Sequence, residues 1–166
     1  MNASISLKPA TLDDVNTIAR LAHVIWHAHY PPIIGLEQVN FMLEKMYHHT
    51  VLSKHILEGP QAFFIIQNNQ ESLGFIAFEQ KEPGELYLQK LYVLPEMHRK
   101  GIGAAALRAA IAQYPQAQLI RLQVNRQNYT AINFYFKLGY TIERVADFDI
   151  GDGYFMNDFV MLKHLT

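Results

Sequence analysis

Apolar residues recur every three or four positions through Leu12, Val15, Ile18, Ala19, Ala22, Ile25 and Trp26, a spacing that lines one face of an α-helix. Thr11, with Asp14 three residues on, reads as its N-cap and first-turn acid, and Pro31-Pro32 stops it. Further helices are expected from about residue 36 to 46 and from 50 to 57, before Gly59-Pro60 breaks the chain. After a short opening strand around Ile5 and Leu7, the β texture begins at residue 62. Runs 62–67, 73–78 and 85–93, separated by Asn68-Asn69-Gln70 and Glu82-Pro83-Gly84, predict an antiparallel meander. An Ala-rich helix over 101–112, a strand over 119–124, a helix over 128–138, a strand from Tyr140 and a last strand over 155–162 complete the pattern. No linker, repeat or low-complexity tract interrupts it, so residues 1–166 read as one mixed α/β domain.

Composition narrows the function classes. Half of the 166 residues are hydrophobic, yet no apolar run approaches the roughly 20 residues that span a bilayer. The first ten residues lack a basic segment followed by an apolar stretch, so a soluble, cytoplasmic protein is expected. The absence of cysteine excludes a disulfide framework, cysteine zinc sites and thiol catalysis. With 14 Lys+Arg against 15 Asp+Glu, no chain-wide field draws the protein to nucleic acid or to an anionic membrane. Any anion it binds must be held locally.

The place for that is the run Leu91, Tyr92, Val93, Leu94, Pro95, Glu96, Met97, His98, Arg99, Lys100, Gly101, Ile102, Gly103, Ala104. It reads as a strand, a turn and a helix start. Free amides at a helix N-terminus beside Arg99 and Lys100 form a pyrophosphate cradle. A P-loop is excluded because no Lys-Ser/Thr pair follows the glycines. Gly101, Gly103 and Ala106 match a dinucleotide fingerprint in spacing, but they follow a meander, and the next strand ends at Asn125 rather than at an acid.

Residues 91–104 resemble motif A of the GNAT N-acetyltransferase superfamily, Gln/Arg-x-x-Gly-x-Gly/Ala after a strand, with His98 in the first position. A second run, Asn128, Ala131, Phe134-Tyr135 and Leu138-Gly139-Tyr140, resembles the family's motif B. The resemblance implies an α/β GNAT fold: a mixed, mostly antiparallel sheet flanked by helices, with two splayed strands forming an acetyl-CoA slot. It implies that the backbone of Leu91, Tyr92 and Val93 pairs with pantetheine, and that residues 98–104 hold the phosphates. Tyr135 would protonate the leaving thiolate, or simply belong to the core. Asn128 would bind the cofactor, cap its helix, or do both.

The general base is open. Glu85, Tyr87 and Gln89 share a strand face with Leu91 by strict alternation, and Glu85 is the acid among them. Relatives carry a catalytic Glu nearer to Tyr87, and a bulge would shift the register. Glu85 is therefore either the base or a solvated acid. His23, His27 and His29 form no convincing metal set, and Asp147, Asp149, Asp152 and Asp158 depart from a calcium loop at Gly151 and Asp152. No metal is expected. Residues 153–163 resemble the last strand of GNAT proteins that include polyamine acetyltransferases of the PaiA type, and the acidic residues would attract a cationic acceptor. Trp26, His27, His29 and Tyr30 lie where the family forms its acceptor wall. The reading is acetyl transfer from acetyl-CoA directly to a primary amine of a small molecule or peptide, with polyamine as a candidate. The alternative is a non-catalytic acyl-CoA-binding module. The C-terminal strands would allow edge pairing into a homodimer.

Overall fold

The apolar runs after residue 60 fold as the meander expected: β2 (Gln61–Asn68), β3 (Glu71–Glu82) and β4 (Glu85–Val93) pair antiparallel. The computed structural model describes residues 4–165. β1 (Ser6–Pro9) adds to the outer edge of β2. Helix α5 (Ile102–Ile111) carries the chain over the sheet to β5 (Leu119–Asn125), which lies parallel to β4 as a crossover connection requires. After α6 (Tyr129–Lys137), β6 (Thr141–Gly151) and β7 (Tyr154–His164) form a hairpin, with β7 against β5 and β6 at the edge. The sheet order is β1-β2-β3-β4-β5-β7-β6.

The two faces bury separate cores. On one, Ile102, Ala106, Leu107 and Ala110 of α5 and Ile132 of α6 cover Ile76, Leu86, Leu88, Ile120, Leu122 and Met161. On the other lie α1 (Val15–His29), the single turn α2 (Pro31–Ile34), α3 (Leu36–Tyr47) and α4 (His49–Glu58). Their Ile18, Leu21, Trp26, Leu43 and Leu52 pack on Phe63, Ile65, Phe75 and Ala77. This is the α/β architecture expected, a mostly antiparallel sheet with helices on both faces. Pro31 does end α1, but it then opens α2, because a proline at a first helical position has no needed amide to lose. Strands β3, β6 and β7 run longer than their apolar runs suggest. Among the described residues no helix is long and apolar enough to cross a membrane.

One expectation is corrected. Opposite β3, Ala77 pairs with Lys90 while Phe78 pairs with Leu88, so Gln89 is an extra residue in β4. This bulge exchanges the faces of all that follows. Leu86 and Leu88 share the α5–α6 face with Leu91 and Val93, and Tyr92 packs on the α1–α3 side. Glu85 and Tyr87 therefore do not share a face with Leu91.

Candidate active site

The parallel pair holds only from Glu85–Leu119 to Leu88–Leu122. Beyond it β5 continues against β7 through Asn125, and β4 continues against β3, so the two strands part into a cleft. The Leu94 amide bonds to the Leu73 carbonyl at 2.8 Å. Alternation in an antiparallel ladder makes Tyr92 opposite Phe75 the next bonded pair, and turns the amides and carbonyls of Leu91 and Val93 away from β3, into the cleft. The neighbouring backbone must be bare: a Cβ on Gly74 would stand 2.1 Å from the Tyr92 carbonyl oxygen.

At the cleft mouth the loop turns through Pro95–Met97, then Arg99 (φ 63) and Gly101 (φ 76) adopt left-handed backbone before α5 begins. Gly101 serves as the N-cap without a capping side chain. The Ala105 amide is the first to bond back, to the Gly101 carbonyl at 3.0 Å. The amides of Ile102, Gly103 and Ala104 are thus unused by the helix and are flanked by exposed Arg99 and Lys100. This donor set fits an anion. His98 Nε2 stands 2.8 Å from the Val93 carbonyl oxygen, which accepts from it, so one cleft-facing group already has a partner while the Val93 amide remains directed into the cleft.

Asn128 and Tyr135 approach from the β5 side. Asn128 caps α6, its Oδ1 accepting from the Ala131 amide at 3.3 Å and from His29 Nε2 at 2.9 Å. It thereby ties the end of α1 to the start of α6 across the cleft. Tyr135 is buried, with its ring edge-on to Phe134 and Tyr140. Burial, with smaller contributions from Tyr140 and Tyr30, raises its phenol well above the usual value, so the hydroxyl stays protonated.

On the α1–α3 face a groove of about 400 Å³ runs beside the closed end of the cleft, lined in part by Tyr87, Gln123, Arg144, Phe148 and Val160. Glu85 lies in its wall, at the first rung of the β4–β5 pair, with its carboxylate bound by Arg121. Arg121 also grips Glu143 through two bonds of 2.9 and 3.0 Å, which holds that carboxyl below its usual range. The expectation that Glu85 stands ready as a base does not match this commitment. The acidic set disperses as well: Asp147 pairs with Arg126 at 2.7 Å, and Asp149 accepts from the Gly151 amide. Asp152 sits at the hairpin tip, and Asp158 is buried. His27 spends Nδ1 on the His23 carbonyl and Nε2 on Asn40. Among the described residues no group of three His, Asp or Glu converges as a metal set would.

In the sequence Tyr87 stood out only as the position nearest the relatives' glutamate, and Asp158 only as one of an acidic cluster. The signal was there: Met156, Asp158 and Val160 alternate onto one face of β7, and a lone acid in an inward apolar row is a costly placement.

Comparison with known proteins agrees with this geometry. Residues 23–140 match the model of the acetyltransferase (GNAT) family. The chain is similar to the spermidine N(1)-acetyltransferase of Thermoplasma acidophilum, 26% identical with 96% of this chain and 97% of that protein covered. It is also similar to an uncharacterised N-acetyltransferase of Mycobacterium tuberculosis, 24% identical over 93% of this chain and 100% of that one. Its fold superposes on the PaiA N-acetyltransferase of Thermoplasma acidophilum in complex with coenzyme A, with a TM-score of 0.81, 26% identity, and coverage of 97% and 99%. It superposes equally on a GCN5-related N-acetyltransferase of Rhodopseudomonas palustris, TM-score 0.82, 18% identity, coverage 99% and 98%. A family match over most of the chain, joined to a splayed β4–β5 pair that ends at bare helix amides, makes this chain a member of the GNAT family, an acyltransferase with acetyl-CoA as its co-substrate.

Proposed function

We propose that the chain acts as one N-acetyltransferase domain that moves an acetyl group directly from acetyl-CoA to a primary amine. The observation that carries this is the cleft itself: outward backbone at Leu91 and Val93, continuous with the unbonded amides of Ile102, Gly103 and Ala104. Acetyl-CoA supplies the activated acetyl thioester. Leu91 and Val93 pair with its amide-bearing arm as a missing strand would. The α5 amides, with Arg99 and Lys100, hold its phosphates. The Val93 amide faces the acetyl carbonyl oxygen and stabilises the charge that gathers there. Tyr135 donates its proton to the departing sulfur, and Asn128 orients the cleft wall through His29. Glu85, paired with Arg121, has no part in the proton transfers.

Polyamines are the first acceptor class, supported by the relationship to the spermidine acetyltransferase. A second class has its own support. Lys81, Arg121 and Arg144 outnumber Glu85 and Glu143 along the groove, which favours a single-amine acceptor with a neutral or anionic remainder. The cysteine-free composition fits a reducing, cytoplasmic setting. The free edge of β6, where Val145 is 57% exposed, leaves room for a second copy to pair into a homodimer.

The test follows coenzyme A release with spermidine, spermine, amino acids, amino-acid amides and peptide N-termini. Acetyl-CoA-dependent release with at least one amine is expected. Tight acetyl-CoA binding without release across the whole panel would instead establish a non-catalytic module.

A further inference from the structure

An acceptor amine arrives as an ammonium and reacts as a free base, and no group described in the cleft takes that proton. Asp158 on β7 is the group left over. It is 3% exposed, and its carboxylate makes no hydrogen bond or ion pair among the described residues. The adjacent Arg126 offsets its burial only in part and makes no bond to its carboxylate: Nη1 lies 2.7 Å from Asp147 Oδ1 and 3.2 Å from the Asp158 backbone carbonyl. A buried carboxylate without a partner is costly to keep, and burial pushes its pKa up to about 6, opposed by Arg126 and reinforced by Asp147.

Its position is as informative as its isolation. Asp158 pairs with Asn125, the last residue of β5 at the open end of the cleft, and shares a face of β7 with Val160 in the groove wall. It therefore stands just beyond the Gln123–Val160 end of the groove, on the side where the cleft opens. A second group in the groove wall is the Tyr87 hydroxyl, buried beside Gln123 and without a geometrically sound hydrogen bond among the described residues. Burial first, and the Asp158 charge next, push the Tyr87 phenol up to about 12, and the same charge acts on Tyr30 from α1.

We infer that Asp158 holds the acceptor's ammonium on the cleft side of the groove's Gln123–Val160 end and accepts its proton, with the Tyr87 hydroxyl as the adjoining hydrogen-bond partner. The inference rests on the acetyl-transfer reading and serves either acceptor class. The carboxylate takes one N–H proton, and the nitrogen's freed electron pair forms the C–N bond to the acetyl carbon. The C–S pair leaves with sulfur, which Tyr135 protonates, and the second proton that the nitrogen sheds as the amide forms returns to the Tyr135 phenolate. A buried carboxylate that makes no ion pair among the described residues also selects a cation over a neutral alcohol at this point.

The experiment compares wild type with Asp158→Asn for acetyl-CoA binding by calorimetry and for kcat/KM with the best amine of the panel between pH 5 and 9. Expected in the variant are cofactor affinity within about twofold and a kcat/KM lower by about 100-fold or more. The wild-type rise in kcat/KM through about pH 6 should vanish with it. An unchanged kcat/KM in a variant that binds acetyl-CoA normally overturns the assignment to Asp158 and leaves the parent reading standing. Wild type that fails to bind acetyl-CoA overturns both. Should the variant itself lose acetyl-CoA binding through misfolding, the wild-type profile decides, because a kcat/KM with no inflection near pH 6 also overturns the role.

Discussion

Replacing Lys90 by Met should make this protein more stable. The bulge at Gln89 turns Lys90 onto the α1–α4 face, where it is 6% exposed, with its ammonium 5.8 Å from the Tyr47 ring centre and 5.4 Å from that of Phe63. Its sole hydrogen bond among the described residues, to Gln61 Oε1 at 3.5 Å, is at the limit of usefulness. Burial lowers its pKa from 10.5 to about 8. At roughly 1.4 kcal/mol for each tenfold change in proton affinity, keeping Lys90 charged costs roughly 3 kcal/mol. The two ring contacts offset about 1–2 kcal/mol of this. A methionine of similar length should therefore stabilise the fold by about 1–2 kcal/mol, which in a chain of this size raises Tm by about 3–6 °C.

The pH dependence separates this cause from better packing. Between about pH 8 and 10.5 the unfolded chain holds a proton on Lys90 that the folded chain has released, so wild-type stability rises with pH across that window. The penalty is complete below about 8 and gone above about 10.5. Urea unfolding followed by circular dichroism at pH 7 and pH 10.5 measures both ends. The advantage of Lys90→Met should be present at pH 7 and largely lost at pH 10.5. A variant that is destabilised at pH 7, or equally favoured at both, refutes the reasoning.

Other consequences are equally direct. Tyr135→Phe should lower kcat by about 100-fold or more while acetyl-CoA affinity, measured by calorimetry, stays near wild type; an unchanged rate removes the acid role. Glu85→Gln should leave kcat/KM within about threefold, since its charge is already spent on Arg121, and a loss beyond about 100-fold would restore Glu85 as a base. Gly101→Ala, at φ +76, should cost about 1 kcal/mol in thermal unfolding and weaken acetyl-CoA binding by displacing the α5 amides; unaltered affinity would mean the phosphates lie elsewhere.

The legible parts of this protein are those written in local chemistry. Three- and four-residue spacing announced α1, and short apolar runs separated by the turns Asn68-Asn69-Gln70 and Glu82-Pro83-Gly84 announced the meander. Gly101 and Asn128 marked two helix starts because left-handed backbone and a capping oxygen are needs of a few consecutive atoms. The resemblance of residues 91–104 and 128–140 to the GNAT motifs rested on the same short segments, and the family followed.

What the sequence by itself determined is therefore the order of the main elements, the glycine-led start of α5 and the aromatic run around Tyr135. The tertiary structure alone decided which face each β4 residue takes, since the bulge at Gln89 is a mismatch between two strands and has no signature within one. It also decided that Glu85 is engaged, by Arg121 36 residues away, while Asp158 is stranded because Arg126 turns to Asp147 instead. Both outcomes depend on which charges pair across the folded sheet. Periodicity is a property of neighbours in the chain, whereas the ionic partner and water access of a side chain belong to neighbours in space.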